Sequence, residues 1–218
     1  MILKINRIKE NLISNSEIIS ELEKKCNNEY LDKVNWTEFP YKPDVKFNIG
    51  FNSNSIFILY KVIEEGVRAT ETEFNSRVWE DSCCEFFCSF DDTGYYNLEV
   101  NCIGTPLLGF RKSRDLAEHA SDALMKKIRT YSTLGSKPFG IKKGKYEYKL
   151  LVEVPAKTFF KHKINLGEEF SFNANLYKCG DKAPNMHFLS WSPIKIDEPD
   201  FHRPEFFNKA ILMALPKV

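Results

Sequence analysis

Fourteen residues near the middle of the chain, RVWEDSCCEFFCSF from Arg77 to Phe90, contain one tryptophan, three carboxylates and three cysteines. Such a stretch could form a plain strand, a metal site, a redox centre or the edge of a catalytic cleft. Alternation along a strand points Cys83 away from Cys84 and Cys88, so these thiols do not converge on one zinc ion or form a redox pair. Reduced, buried thiols are the favoured interpretation of all six cysteines.

The segments SCCEFFCSF and YYNLEVNCI, joined by DDTG, predict a β-hairpin at this place. A three-residue loop (92–94) makes paired residue numbers sum to 186, which places Phe87 opposite Glu99 and Glu85 opposite Asn101. One face of the hairpin is then apolar and is expected to face the core. The other face carries mainly polar side chains, namely Glu85, Phe87, Ser89, Asn97, Glu99 and Asn101.

Two functions fit a pair of glutamates on one sheet face. Glycoside hydrolysis needs two carboxylates about 5 to 10 Å apart, one of them with a raised pKa. A carboxylate flanked by amides is equally suited to holding sugar hydroxyls. Solvated strand residues without a function are a third interpretation of Glu85 and Glu99.

The elements that must position these residues are mostly strands. Alternating segments such as VKFNIGF, SIFILYKV, KYEYKLLVEV and EFSFNANLYKC predict an all-β fold, a β-sandwich of two packed antiparallel sheets of jelly-roll or immunoglobulin-like type. A few short helices are expected, one in SNSEIISELEKKC and one in SRDLAEHASDALMKKIR. The last strand is expected within 210–215.

Length and composition favour one domain. The 218 residues can bury about 70% of their unfolded surface, and 14% of them are aromatic. We therefore expect a single domain over 1–218, with residues 1–34 as a helix-containing N-terminal extension packed on it.

The charge balance argues against two classes of partner. With 31 basic and 30 acidic residues, the net charge of +1 offers no field for nucleic acid or for an anionic membrane. The N-terminus has no apolar stretch long enough for a signal peptide or a membrane span. The chain as given is therefore expected to be cytoplasmic, or exported if a signal has been removed.

The three tryptophans have different settings. Trp36 lies in a proline-rich linker and is expected to anchor the core. Trp79 precedes the polar strand, and Trp191 lies in HFLSWSP before the last long loop. Because an indole face stacks on the C–H face of a pyranose ring, Trp79 and Trp191 beside a polar sheet face indicate a sugar site.

Two long blocks, VWEDSCCEFFCSFDDTGYYNLEVNCIGT and NLYKCGDKAPNMHFLSWSPIKIDEPDFHRPEFF, resemble carbohydrate-binding module family 9-like proteins, particularly the stand-alone forms of gut Bacteroidetes. The resemblance implies a β-sandwich and non-catalytic sugar binding. Better-known members are attached to xylanases, where two tryptophans enclose the terminal sugar and a glutamate six residues after the first binds hydroxyls. Trp79 and Glu85 have that spacing, and Trp191 would be the second wall. The resemblance also implies structural calcium, whose ligands the sequence does not identify.

The resulting hypothesis is a domain that binds the terminal sugar of a xylo- or cello-type oligosaccharide or polysaccharide without transforming it. Trp79 and Trp191 would stack on the ring, and Glu85 and Asn101 would bind its hydroxyls. Further candidates at the rim are Asn97, Glu99, Arg111, Asn175, Lys178 and His187. The alternatives are a glycosidase that uses Glu85 and Glu99, and a protein-interaction domain that has lost its sugar.

Overall fold

The computed structural model describes residues 1–213, which are mostly β-strand. The strands are β1 (Ile2–Arg7), β2 (Glu29–Tyr30), β3 (Lys33–Val34), β4 (Asp44–Phe51), β5 (Ser55–Ala69), β6 (Cys83–Asp91), β7 (Gly94–Asn101), β8 (Pro106–Ser113), β9 (Leu116–His119), β10 (Arg129–Ser132), β11 (Phe139–Pro155), β12 (Phe170–Cys179), β13 (Phe188–Ser190) and β14 (Asn208–Met213). The helices are α1 (Asn15–Lys25) and α2 (Asp122–Met125), with 3₁₀ turns at Val78–Glu80, Ala156–Thr158 and Pro204–Phe206.

The strands form two layers, which are joined by continuous hydrogen bonding from strand to strand. The strand order is β10-β11-β5-β4-β1-β14-β12-β6-β7-β8-β9. Strand β1 pairs in parallel with both β14 and β4, so it links one antiparallel layer to the other. The predicted β-sandwich is confirmed, and its two sheets are joined through a strand from the N-terminal segment.

The main core fills the space between the layers. It contains the inward side chains of β4, β5 and β11 from one layer and of β6, β7, β8 and β12 from the other. The Tyr60 hydroxyl on β5 crosses this space and donates a hydrogen bond to the Glu85 carbonyl on β6 (2.9 Å). The apolar hairpin face predicted from the alternation packs here, which confirms that prediction.

The register of the central hairpin differs from the prediction. Glu85 pairs with Glu99 and Phe87 pairs with Asn97, so paired numbers sum to 184 rather than 186. The turn is tighter than expected because Asp91 pairs with Gly94. A shift of two equals the side-chain period of a strand, so each residue keeps its predicted face. It nevertheless changes which residues stand opposite each other.

Helix predictions succeeded at one place and failed at another. Helix α1 begins after Ser14, which forms a capping box with Glu17. The segment predicted to be helical from Ser113 onward instead forms β9, paired with β8, followed by the short α2. Strand pairing outweighs local helix propensity there. Neither helix of residues 1–213 is long and apolar enough to cross a membrane.

The first and last strands of the described residues lie side by side. Residues 1–34 contain β1, α1, β2 and β3, and β1 lies beside β14. The described residues of β14 run to Met213, and the remainder of the predicted strand, Ala214 and Leu215, lies outside the described residues.

Candidate functional site

The polar face of the central hairpin is mostly covered rather than open to solvent. A second apolar cluster lies on it, formed by strand residues and by the loops that pack over them, namely Trp36, Val78, Cys83, Phe87, Tyr95, Leu107, Tyr177, Cys179, Ile194, Phe201 and Phe207. As a result, Glu85 and Glu99 are each only 3% exposed. A cleft of about 280 Å³ remains above them.

Residues from six parts of the chain line this cleft. They are Trp79, Glu85, Glu99, Arg111, Arg114, Asp115, Cys179, Asp181, Phe188, Pro199, Asp200, Phe201 and His202. Four of them, Trp79, Glu85, Glu99 and Arg111, are sequence-predicted site residues. The cleft therefore combines aromatic surfaces with carboxylates and guanidinium groups, which is the composition expected for a site that binds a polar ring.

Trp79 is held by the 3₁₀ turn that precedes β6. Its neighbour Val78 is fully buried, which anchors the turn. The Trp79 carbonyl accepts a hydrogen bond from the Asp181 amide (3.2 Å), and Glu80 forms an ion pair with Lys182 (2.8 Å). These contacts hold the half-buried indole against the segment that follows β12.

Phe188 and Phe201 provide a second aromatic surface. Their ring centroids are 6.0 Å apart, and Phe201 stacks on Tyr177 with a centroid distance of 4.2 Å. Phe39 packs edge-on against Phe188 at 5.0 Å. The surface therefore rests on the second apolar cluster rather than on loop side chains alone.

Two glutamates form the floor of the cleft. The Glu85 carboxylate accepts a hydrogen bond from the Cys179 thiol (3.0 Å), and Glu99 Oε1 accepts one from Asn97 Nδ2 (2.8 Å). Glu99 Oε2 is buried and has no hydrogen-bond partner among the described residues. Burial and the neighbouring Glu99 raise the pKa of Glu85 well above its ordinary value, and burial raises the pKa of Glu99 to about 7.

Asn97 positions groups of the cleft without lining it. Its Nδ2 binds Glu99, and its Oδ1 accepts a hydrogen bond from Arg111 Nε (3.0 Å). Gly109 on β8 leaves room for this amide, because a Cβ there would stand 2.6 Å from Asn97 Oδ1. Asn97 is fully buried, so its influence on the cleft passes through Glu99 and Arg111.

The rim carries further charged groups. Arg114 forms an ion pair with Asp200 (3.7 Å), and Asp200 also accepts a hydrogen bond from the His202 amide (2.9 Å). Burial, with the nearby Arg111 and Arg114, lowers the pKa of His202 to about 3, so its ring is neutral. Burial and the nearby Glu80 raise the pKa of Asp181 to about 6.

The prediction of two facing tryptophans is wrong. Trp191 is 2% exposed, lies in the main core and donates from Nε1 to Glu29 (3.1 Å). It faces the space between the layers because strand alternation turns it away from the cleft. Trp36 is the core anchor that was predicted, since it is 3% exposed and donates to the Ile196 carbonyl (3.0 Å).

Four other predicted ligand residues lie outside the cleft, and each has internal partners. Asn101 donates to the Glu71 carbonyl and to Asp81 (both 2.9 Å), which supports the loop before the 3₁₀ turn. Asn175 binds the backbone of Ser192 through both its amide groups.

Lys178 and His187 belong to a buried polar network between the layers. Lys178 Nζ donates to Glu64 (3.1 Å) and to His187 Nε2 (2.8 Å), and all three residues are at most 1% exposed. Lys178 faces away from the cleft because its neighbour Cys179 faces into it.

Sequence reasoning missed nine of the thirteen lining residues. Asp181 follows β12, Phe188 begins β13, and Pro199, Phe201 and His202 lie in the segment after β13. The proline-punctuated loop DEPDFHRPEFF mixes acidic and aromatic residues, which was the available signal. Its path over the sheet could not be derived from a local pattern.

One group of metal-ligating side chains converges within residues 1–213. Ligand atoms of Cys83, Glu85 and Cys179 all lie within 4.8 Å of one another. Calcium prefers six to eight oxygen ligands, so a group with two thiols does not fit it. Burial raises the pKa of Cys83 to about 12, and all six cysteines are free and buried.

Comparisons with known proteins identify the family. The model of carbohydrate-binding family 9 matches residues 17–212. A candidate carbohydrate-binding protein from Bacteroides uniformis is 35% identical, with 97% of this chain and 99% of that chain covered and a TM-score of 0.93. Two structures of a family 9 module from Caldicellulosiruptor kristjanssonii share the fold at 13% identity and a TM-score of 0.59.

Those two structures hold different ligands. One is a complex with glucose, and the alignment covers 99% of this chain and 98% of that one. The other is a complex with cellotriose, and the alignment covers 97% of this chain and 93% of that one. Curated protein sequences give no significant match. The match along nearly the whole chain shows that this protein belongs to carbohydrate-binding family 9.

Proposed function

We propose that the cleft binds the terminal sugar of a cello- or xylo-type oligosaccharide without transforming it. The observation that carries this proposal is the pairing of aromatic surfaces with a buried carboxylate floor inside one cleft of about 280 Å³. That volume is at the small end of ligand pockets, which suits a single sugar ring better than a long chain segment.

Trp79 is the stacking surface in this proposal. Phe188 and Phe201 take the place that Trp191 was expected to fill, because they line the cleft while Trp191 is in the core. Aromatic stacking contributes on the order of 1 kcal/mol beyond the burial of area. With few such contacts, we expect dissociation constants in the micromolar to millimolar range.

The floor supplies hydrogen bonds of both kinds. Glu85 and Glu99 accept from sugar hydroxyls, and Arg111 donates to them. The hydroxyls of a sugar would satisfy Glu99 Oε2, a buried acceptor that has no partner within residues 1–213. Because the floor is closed by the sheet and the covering loops, the cleft favours a chain end over an internal residue.

Isothermal titration calorimetry with glucose, cellobiose, cellotriose and xylobiose tests this function. We expect Trp79→Ala to weaken binding about tenfold, since loss of one stacking surface removes on the order of 1.4 kcal/mol. Phe74→Ala is the matched control, because Phe74 is 38% exposed and does not line the cleft. Unchanged affinity in Trp79→Ala, or no binding to any of these sugars, would contradict the proposal.

Glycoside hydrolysis is the second candidate, favoured by the paired glutamates with raised pKa values. Directly opposed strand residues have Cβ atoms about 4.5 to 5.5 Å apart, close to the spacing of retaining glycosidases. However, both side chains rise from the same sheet face, whereas hydrolysis needs carboxylates on two sides of the scissile bond. Turnover of aryl glucosides and aryl xylosides that disappears in Glu85→Gln would support this candidate, and no turnover would count against it.

A further inference from the structure

Carboxyl groups outnumber cationic groups in the lining of the cleft. Five carboxylates line it, whereas only two guanidinium groups do. Both guanidinium groups are already engaged. Arg111 donates to Asn97 Oδ1 and to the Arg114 carbonyl, and Arg114 pairs with Asp200. The His202 ring is neutral, so it adds no positive charge.

The floor contains a polar group that the protein leaves without a partner. Glu99 is 3% exposed, it lines the cleft, and its Oε2 accepts no hydrogen bond from the described residues. Glu85 stands directly opposite Glu99. Within residues 1–213 its carboxylate accepts a hydrogen bond only from the Cys179 thiol, which is a weak donor. Leaving a buried carboxylate oxygen unpaired is unfavourable, so a ligand that donates strongly at this point gains affinity.

We propose that the cleft selects sugars carrying an ammonium group, of the 2-amino sugar class, over the corresponding neutral sugars. This inference rests on the proposed sugar-binding function. An ammonium group has three donors and a positive charge, so it can bond Glu85 and Glu99 together and reduce their mutual repulsion. A hydroxyl at the same position has one donor and no charge.

The charged groups around the glutamate pair support this selectivity. Arg111 on β8, Cys179 at the end of β12 and Asp181 just after β12 lie around Glu85 and Glu99. The rim adds Arg114, Asp115, Asp200 and His202. Burial raises the pKa values of Glu85, Glu99 and Asp181, so these groups hold protons that a cationic ligand would displace. The selectivity should therefore increase as the pH rises from 5 to 7.

Calorimetry with matched sugars tests the inference. The pairs are glucose with glucosamine, and cellobiose with fully deacetylated chitobiose, which has the same β-1,4 linkage. Hydrogen bonds to charged groups contribute about twice as much as neutral ones, so we expect the amino sugars to bind about tenfold more tightly at pH 7. The ratio should fall towards one at pH 5.

Two variants locate the selectivity. Glu99→Gln should reduce the ratio of glucosamine to glucose affinity to about one, because the amide carries no charge to pair with an ammonium group. Glu73→Gln is the matched control: it makes the same substitution at an exposed residue that does not line the cleft, so we expect an unchanged preference. Thermal unfolding of each variant shows that it is folded at the assay temperature.

The outcomes separate the two proposals. Equal affinity for glucose and glucosamine at pH 7, or a preference that survives Glu99→Gln, would overturn the amino-sugar inference and leave sugar binding standing. Failure of all four sugars to bind would instead contradict the proposed function itself.

Discussion

Glu85 and Glu99 stand directly opposite each other on β6 and β7, and both are 3% exposed at the floor of one cleft. Two carboxylates so placed oppose each other's ionisation, and burial adds to the effect. The raised pKa values therefore make the stability of the folded protein depend on pH.

Glu99→Gln should stabilise the protein at pH 8 and have little effect at pH 4. The folded-state pKa of Glu99 is about 7, above the ordinary value near 4.5. As the pH rises, Glu99 therefore ionises at a lower pH in the unfolded chain than in the folded protein. The free energy of unfolding is highest below pH 4.5 and decreases as the pH rises to 7. The amide cannot ionise, so we expect a gain on the order of 1 to 3 kcal/mol at pH 8.

Urea unfolding of both proteins between pH 4 and pH 8 measures this effect. The difference in unfolding free energy should grow through the interval between pH 4.5 and 7. A difference of the same size at both ends would show that Glu99 is ionised throughout.

Trp191→Ala should lower stability and leave sugar affinity unchanged. Trp191 is packed in the main core, where truncation of a large aromatic side chain costs about 3 to 5 kcal/mol. Calorimetry at a temperature where the variant is folded should give the affinity of the unmodified protein. A large loss of affinity without a loss of stability would place Trp191 in the binding site after all. Trp79→Ala should instead weaken sugar binding and have little effect on stability.

Lys178→Met should strongly destabilise the protein. It leaves the Glu64 carboxylate buried without its cationic partner, and breaking a buried pair in this way costs about 3 to 5 kcal/mol. The double variant Lys178→Met with Glu64→Gln should lose less unfolding free energy than Lys178→Met alone, because no unpaired buried charge remains. Chemical denaturation of the two variants makes the comparison. Equal losses would mean that the buried charge is not the cause.

Gly109→Ala should weaken sugar binding several-fold without unfolding the protein. A Cβ at this position would stand 2.6 Å from Asn97 Oδ1, so the amide that orients Glu99 and Arg111 must move. Gly140→Ala is the control, since nothing lies within 4 Å of a Cβ there. Calorimetry with cellobiose should separate the two variants, and equal affinities would show that Asn97 does not position the cleft.

The cysteine thiols should react very slowly with Ellman's reagent in the native protein. All six are buried, and burial raises the pKa values of Cys26 and Cys83 to about 12. Since the thiolate is the reacting species, rapid colour should appear only in guanidinium chloride. Fast reaction of one or two thiols under native conditions would identify an opening near β6 or α1.

The sequence by itself determined the features that depend on local periodicity. Alternation assigned Glu85, Asn97 and Glu99 to one hairpin face even though the register was wrong by two, because a shift of one full period leaves the faces unchanged. The cap at Ser14 likewise predicted the start of α1. The resemblance to family 9 modules, rather than periodicity, linked Trp79 with Glu85, because the two residues match the family's spacing of six residues.

Tertiary structure decided what local patterns do not contain. Which residues face each other across the hairpin depended on how the turn closed, and this brought Glu85 opposite Glu99. Whether Trp191 faced a ligand or the core depended on how the end of β13 sits between the layers. The covering of the polar face by the segment 194–207 also involves residues far apart in sequence. Burial is a property of the packed chain, and burial is what turns a row of strand carboxylates into the floor of a cleft.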